Sequence, residues 1–191
     1  MRIKDSIIMV QRMSTKELFA ESILELIHTR PLQKITVGAI ASNCGMTSRS
    51  FYNHFLDKYD LVNWIFINQV EQVYAQLGTT LTWKELLIHL IHIMEERKSF
   101  YKSVLVDLSV ETNFKTEVIE RSTDLLLAYI NDTYSDIEDL AELTFQVGTY
   151  FYGMMGMMEL QLHKDKPIDV DKIAEYFTLA MPEILRPYLD E

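Results

Sequence analysis

The chain has 191 residues, 48% of them hydrophobic, and a formal net charge of −10. That length fits one compact domain or a small one joined to a medium one, and the hydrophobic fraction supplies a real core, which excludes wholesale disorder. Six glycines and four prolines leave few turn-formers and point to long helices, while a single cysteine, Cys44, excludes a disulfide framework and a cysteine-rich zinc module.

Met1 to Val10 carries two basic residues and a short apolar patch, Ile7 to Val10, too short for a signal-peptide core. No run of 18 apolar residues occurs, so no membrane span is expected, and the expected compartment is the reducing cytoplasm. Ser14 and Glu17 have the spacing of a capping box, followed by an apolar stripe of Leu18, Phe19, Ile23, Leu26 and Ile27. This first helix should stop before Pro31. Thr36 reads as the N-cap of a short helix, Val37 to Asn43, and Gly45 supplies the left-handed residue that ends it. Thr47 caps a third helix, about Ser48 to Phe55, with Phe51 and Phe55 on one face. Asp57 and Asp60 form another cap pair, opening a fourth helix of about Lys58 to Gln76.

Leu61 to Ile67 in that helix is apolar nearly all round, as a helix buried on several sides would be. Trp83, Leu86, Leu87, Leu90, Ile91 and Met94 make the stripe of a fifth helix. Phe100 to Leu105 suggests a short sixth, and Phe114 to Ile130 a seventh. An eighth begins at Asp136 or Ile137 and runs to about His163; a ninth runs from Val170 to near Leu185. No stretch alternates as a strand would, so the expected fold is all-α with about nine helices.

Charge divides the chain. Residues 1–62 hold eight Lys/Arg against six Asp/Glu, a balance of +2, and the remainder holds ten against 22, a balance of −12. The first part is suited to approach a polyanion and the second is not. The expected division is therefore 1–62 as a helix-turn-helix domain, with its motif at 36–55, and 63–191 as a second helical domain.

Ile35-Thr36-Val37, Ile40-Ala41, Gly45, Tyr52, His54-Phe55 and Lys58 closely resemble the DNA-binding signature of the TetR family of bacterial transcriptional regulators. The strict resemblance covers residues 14–67. Phe51 to Phe55 with Asp57 to Leu61, Trp64 to Phe66, and the Gly- and Met-rich run Tyr150 to Met158 are similar to the branch containing regulators of dihydroxyacetone kinase operons. The family resemblance implies a repressor that binds a palindromic operator in double-stranded DNA as a homodimer and is released by a small-molecule effector. It implies dimerisation through the last two long helices, near 137–163 and 169–186.

The residues then take roles. Thr36 and Thr47 stand at helix N-termini, where a cap and a phosphate contact are compatible. Ser48, Arg49 and Ser50 open the helix expected to enter the major groove. Arg49 can fork onto guanine O6 and N7, or contact a phosphate instead. The resemblance assigns Tyr52 and His54 to phosphates, with Asn53 beside them; internal packing is the alternative for His54. Lys58 is expected to contact a phosphate. Arg2, Lys4 and Arg12 read as a solvated tail or a loose arm on DNA.

Candidates to line an effector pocket are Trp64, Phe66, Tyr74, Phe100, Tyr101, Phe114, Tyr129, Phe151, Met154 and Met155, against a purely structural use as core or dimer seam. Glu85, His89, His92 and Glu96 share one helix face at metal-ligand spacing, but a solvated polar face is the preferred reading and no metal is expected. No HExxH, GxSxG, phosphate-loop or dinucleotide glycine motif occurs, so no enzyme activity and no cofactor are expected. The alternative function is a helical DNA-binding co-regulator controlled by a protein partner rather than a small ligand.

Overall fold

The computed structural model describes residues 13–107, 114–135, 137 and 139–189. Arg2, Lys4 and Arg12 lie outside them, as does Asp136. The chain divides into two compact units, Met1–Leu61 and Val62–Glu191. The fold is all-α, and among the described residues no sheet forms.

The first unit contains α1 (Thr15–Ile27), α2 (Val37–Asn43) and α3 (Ser48–Tyr52). Its boundaries are set by side chains. Ser14 accepts from the Glu17 amide while Glu17 accepts from the Ser14 amide at 2.6 Å, completing the capping box of α1. Thr36 and Thr47 cap α2 and α3, each accepting an amide hydrogen bond at 3.1 Å from three residues on. Between them Gly45 sits at φ +71°, where a side chain would be strained. α3 is shorter than its apolar spacing suggested. The chain leaves the helix at Asn53, although the Phe55 amide still reaches the Phe51 carbonyl at 3.1 Å.

Phe19, Phe51 and Phe55 form the core of this unit, with ring centroids 5.1 to 6.5 Å apart. Burying such a ring contributes about 1.5–3 kcal/mol, more than a single cap at about 1 kcal/mol, so the caps fix where helices begin and the rings hold them together. Ser22, buried on α1, donates to the Ile40 carbonyl of α2 at 2.7 Å. That bond satisfies a hydroxyl that burial would otherwise penalise, and it pins α1 to α2.

α4 (Lys58–Tyr74) begins in the first unit by sequence and continues into the second. The Asp57 carboxylate accepts from the amides of Tyr59 and Asp60, and Asp60 accepts from Leu56, so the two aspartates cap reciprocally. The second unit adds α5 (Trp83–Glu96), α6 (Lys98–Lys102), α7 (Phe114–Thr133), α8 (Leu140–Leu162), α9 (Val170–Leu179) and α10 (Arg186–Leu189). α5 packs on α9, and α7 on α8. Thr82 and Glu85 form a second capping box, at the start of α5.

Two further boundaries, in the second unit, differ from the sequence periodicity. α8 starts at Leu140, capped by Asp139, which accepts from the Glu142 amide at 2.9 Å. α9 ends at Leu179 rather than near Leu185. Pro182 brings no N–H and starts a separate single turn over Glu183–Leu185. Among the described residues, no helix is long and apolar enough to cross a membrane.

Candidate functional site

α3 presents two chemically opposite faces. Phe51 is fully buried against Phe19, whereas Ser48, Arg49, Tyr52, Asn53 and His54 are exposed, Tyr52 to 59%. The Tyr52 ring stands edge-on to Phe51 at 5.7 Å while its outer side faces water. The Arg49 guanidinium has no hydrogen-bond or ion-pair partner among the described residues. Ser50 is half-buried, and the Thr36 and Thr47 side chains are exposed beside their caps. His54 is exposed, with its ring tilted at 6.4 Å from Phe19, so it rests on the edge of the core rather than inside it. The expected DNA-facing residues from Thr36 to His54 therefore lie on the exterior of one small helical unit.

Lys58 makes contacts within the protein that its sequence position did not announce. Its Nζ donates to the carbonyls of Leu32 at 2.8 Å, Ile35 at 2.9 Å and Gln33 at 3.0 Å. An ammonium has three donors, and all three are used on the protein's own backbone. These carbonyls belong to the single helical turn Leu32–Lys34 and the residue after it, a feature the periodicity did not reveal. Partial burial lowers the Lys58 pKa from its ordinary value, while Asp57 opposes that shift. In this structure the residue clamps the turn before α2.

Cys44 lies in the turn before α3, half-buried, with its Sγ 3.4 Å from the carbonyls of Ile40 and Ala41. Burial pushes its thiol pKa up from the ordinary value.

The second unit holds a cavity of about 90 Å³. α4 contributes Phe66, Val70 and Tyr74; α5 contributes Leu87, Leu90, Ile91 and Met94. α7 adds Val118, Ile119 and Ser122, α8 adds Phe151, Met154, Met155 and Met158, and α9 adds Phe177. Of the ten pocket candidates, Phe66, Tyr74, Phe151, Met154 and Met155 are on this wall. Tyr101 and Phe114 stand behind it, each edge-on to Phe66 at 5.6 and 5.4 Å. Phe100 packs on Tyr101 at 5.1 Å, one layer further back. Trp64 is half-buried and off the wall, and Tyr129 covers Gly78 at the far end of α4. Leu90, Met94, Val118 and Phe177 were not singled out as pocket residues, because a Leu or Val at helical spacing reads as ordinary core.

Polar contacts brace the wall from outside. On α7, Glu117 accepts from Asn63 and Arg121 pairs with Glu71, so the helix that carries Val118, Ile119 and Ser122 grips α4 on both sides of them. The Tyr150 hydroxyl donates to the Phe177 carbonyl at 2.6 Å, holding α8 to α9; burial pushes its pKa up to about 12. Burial likewise raises the pKa of Tyr74 and Tyr101.

The polar side chains of α5 are engaged in contacts of their own. Glu85 is engaged in its capping box, His89 Nδ1 lies 2.9 Å from the Glu85 carbonyl, and His92 pairs with Glu96 at 3.2 Å. Among the described residues no three such side chains converge.

α8 and α9 carry an exposed apolar side of their own. Phe145 is 73% exposed and Leu179 67%, with Tyr152, Met157, Leu160 and Tyr176 also open. Gly148, Gly153 and Gly156 face open space, with no atom within 4 Å of where a Cβ would stand.

A small trihelical unit with a glycine turn and a polar, aromatic-bearing third helix, followed by an apolar-cavity helical unit, is the architecture of a helix-turn-helix regulator. Residues 15–65 match the bacterial regulatory proteins of the tetR family, and residues 81–182 match a transcriptional regulator C-terminal region. The chain belongs to the TetR family of bacterial transcriptional regulators.

Among relatives, the chain is 24% identical over 101 residues to the HTH-type dhaKLM operon transcriptional activator DhaS of Lactococcus lactis subsp. lactis (strain IL1403). The match covers 53% of this chain and 52% of that protein, so it spans about half the length of the relative. The solved structure of the dihydroxyacetone kinase operon activator DhaS has a TM-score of 0.66 at 17% identity, covering 87% of this chain and 93% of that one. A TetR transcriptional regulator from Rhodococcus sp. RHA1 has a TM-score of 0.65 at 13% identity, covering 88% and 94%. At these identities the structures share the fold.

Proposed function

We propose that this chain is a dimeric repressor that binds a palindromic operator through Thr36, Thr47, Ser48, Arg49, Ser50, Tyr52, Asn53 and His54, and leaves it when a small molecule fills the cavity. The observation that carries the reading is the exposed face of α3, where an unpaired guanidinium stands beside two open hydroxyls and an open tyrosine. Among the described residues only the guanidinium is without a use in the unit: Thr36 and Thr47 also cap α2 and α3, and the Tyr52 ring stands edge-on to Phe51. Arg49 suits guanine in the major groove, and the threonine and tyrosine hydroxyls suit flanking phosphates.

One short helix reads too few base pairs for useful specificity, so the reading requires a pair of copies. The exposed apolar side of α8 and α9 supports a two-fold seam. Its glycines let a second backbone approach, and its aromatics are the groups most stabilised by being covered. Signal transfer falls to α4, which carries Lys58 at one end and Phe66, Val70 and Tyr74 of the cavity wall further on. A ligand shifts DNA affinity only by its preference for one of two states, commonly about 1–3 kcal/mol.

Selection from random oligonucleotides tests this directly. An enriched palindrome is expected; no enrichment overturns the reading. A reporter under the selected operator then reads the sign. Expression rising when the gene is deleted marks a repressor, and expression falling marks an activator, as the named relative is.

A further inference from the structure

We infer that the cavity in the second unit takes an uncharged, predominantly apolar small molecule, with room for a single hydrogen-bonding group. This assignment rests on the reading of that cavity as the effector site. The wall carries no charged side chain at all, and its polar side chains are limited to the hydroxyls of Tyr74 and Ser122. An ion entering it would give up its hydration with no counter-charge to replace it. The ion pairs that join the helices of the wall, Glu71 with Arg121 and Lys115 with Glu159, are closed on themselves. A small polyol fits no better, since it brings more hydroxyls than the wall can bond.

Size adds a second constraint. An apolar cavity of roughly 150 Å³ is enough for benzene, whereas this one measures about 90 Å³. A ring-sized ligand therefore enters only if the wall yields. Met94, Met154, Met155 and Met158 make that possible, because an unbranched thioether side chain changes rotamer without moving its backbone. Met154 and Met155 are half-buried, so the yielding side is also the accessible one.

The test uses the intact protein and a matched series: toluene, benzyl alcohol, benzoate, benzylamine and glycerol, followed by calorimetric titration and thermal shift. Toluene and benzyl alcohol are expected to bind and raise the melting temperature. Benzoate and benzylamine should bind at least ten-fold more weakly, and glycerol not at all. Met155→Phe and Leu90→Phe, which fill the space from different helices, should each weaken toluene at least five-fold. A charged member or glycerol binding as tightly as benzyl alcohol overturns the assignment. So does failure of both neutral aromatics at millimolar concentration, or toluene affinity unchanged in both filled variants. Should one variant not fold, the other and the wild-type series still decide. Operator affinity with and without toluene is measured separately: binding without any effect on DNA removes the regulatory reading but leaves the ligand class standing.

Discussion

Lys58 Nζ lies 2.8 Å from the carbonyl oxygen of Leu32, tying the first residue of α4 to the turn that leads into α2. Charge-assisted bonds of this kind are worth about 1.5–3 kcal/mol each, and their loss strands the carbonyls. Lys58→Met should therefore lower stability by about 1–3 kcal/mol, visible as a reduced urea midpoint. The salt dependence of DNA binding should keep its slope. A slope reduced by about one counterion, with stability intact, would return Lys58 to the phosphate backbone.

Arg49 leads to the opposite expectation. Its guanidinium supports nothing in the fold, so Arg49→Ala should leave the urea midpoint within about 0.5 kcal/mol of wild type. Discrimination at one base pair per half-site should fall by about 1–3 kcal/mol. Competition between operator variants at fixed salt measures this, and an even loss across all sequences would mark a phosphate contact instead.

The two capping boxes give an acid signature. Hydrogen bonds from Ser14 and Thr82 lower the pKa of Glu17 and Glu85 below the ordinary 4.5. The folded chain thus binds these protons less readily than the unfolded chain. The stability they contribute is complete above the unfolded value and is lost as pH falls through the lower folded value. Glu17→Gln with Glu85→Gln should flatten the decline in urea midpoint between about pH 5 and pH 3. An unchanged decline would mean the boxes contribute nothing.

Gly45 and Gly78 have nearly the same backbone, at φ +71° and +70°, in different surroundings. A Cβ at Gly45 meets nothing within 4 Å, whereas one at Gly78 would come within 2.6 Å of the Tyr129 hydroxyl. Gly45→Ala should cost about 1–2 kcal/mol from the left-handed backbone alone. Gly78→Ala should cost more, and Tyr129→Ala should recover part of the difference in a double-mutant cycle. Equal costs at the two sites would contradict the steric account.

The proposed seam is tested by charge. Phe145→Glu with Tyr152→Glu places two carboxylates where copies would meet, and sedimentation at micromolar concentration should show a monomer with unchanged helical content. Wild-type protein that is already monomeric, with and without DNA, would remove the seam altogether.

Legibility in the sequence followed the range of the interaction. Ser14, Thr36, Thr47 and Asp57 were readable because a cap bonds an amide two or three residues away, and that spacing is written in the chain. The apolar stripe of α5 was readable for the same reason. The clamp made by Lys58 was not readable because its partners are 23 to 26 residues distant, and no local pattern marks them. Ser22 was missed because a lone serine in an apolar stripe looks like a defect until Ile40 is placed opposite it. The end of α9 was misplaced because the apolar period continues through Pro182, and periodicity records which face is apolar but not whether a backbone donor exists. The cavity was half legible. Aromatics and methionines attract notice, while Leu90, Val118 and Phe177 become wall residues only once α5, α7 and α9 converge.

The four methionines have a further consequence, in timing and selectivity. Each flexible side chain that becomes ordered around a guest gives up as much as about 1.5–2 kcal/mol of rotamer freedom. A pliable wall therefore holds any one guest loosely and admits many outlines. On the proposed reading of the cavity as the effector site, such a sensor reports solvent-like character instead of molecular identity, and short residence lets its state follow concentration as it changes. Replacing soft residues such as Met154 by branched ones would trade that breadth for a slower response to a single compound.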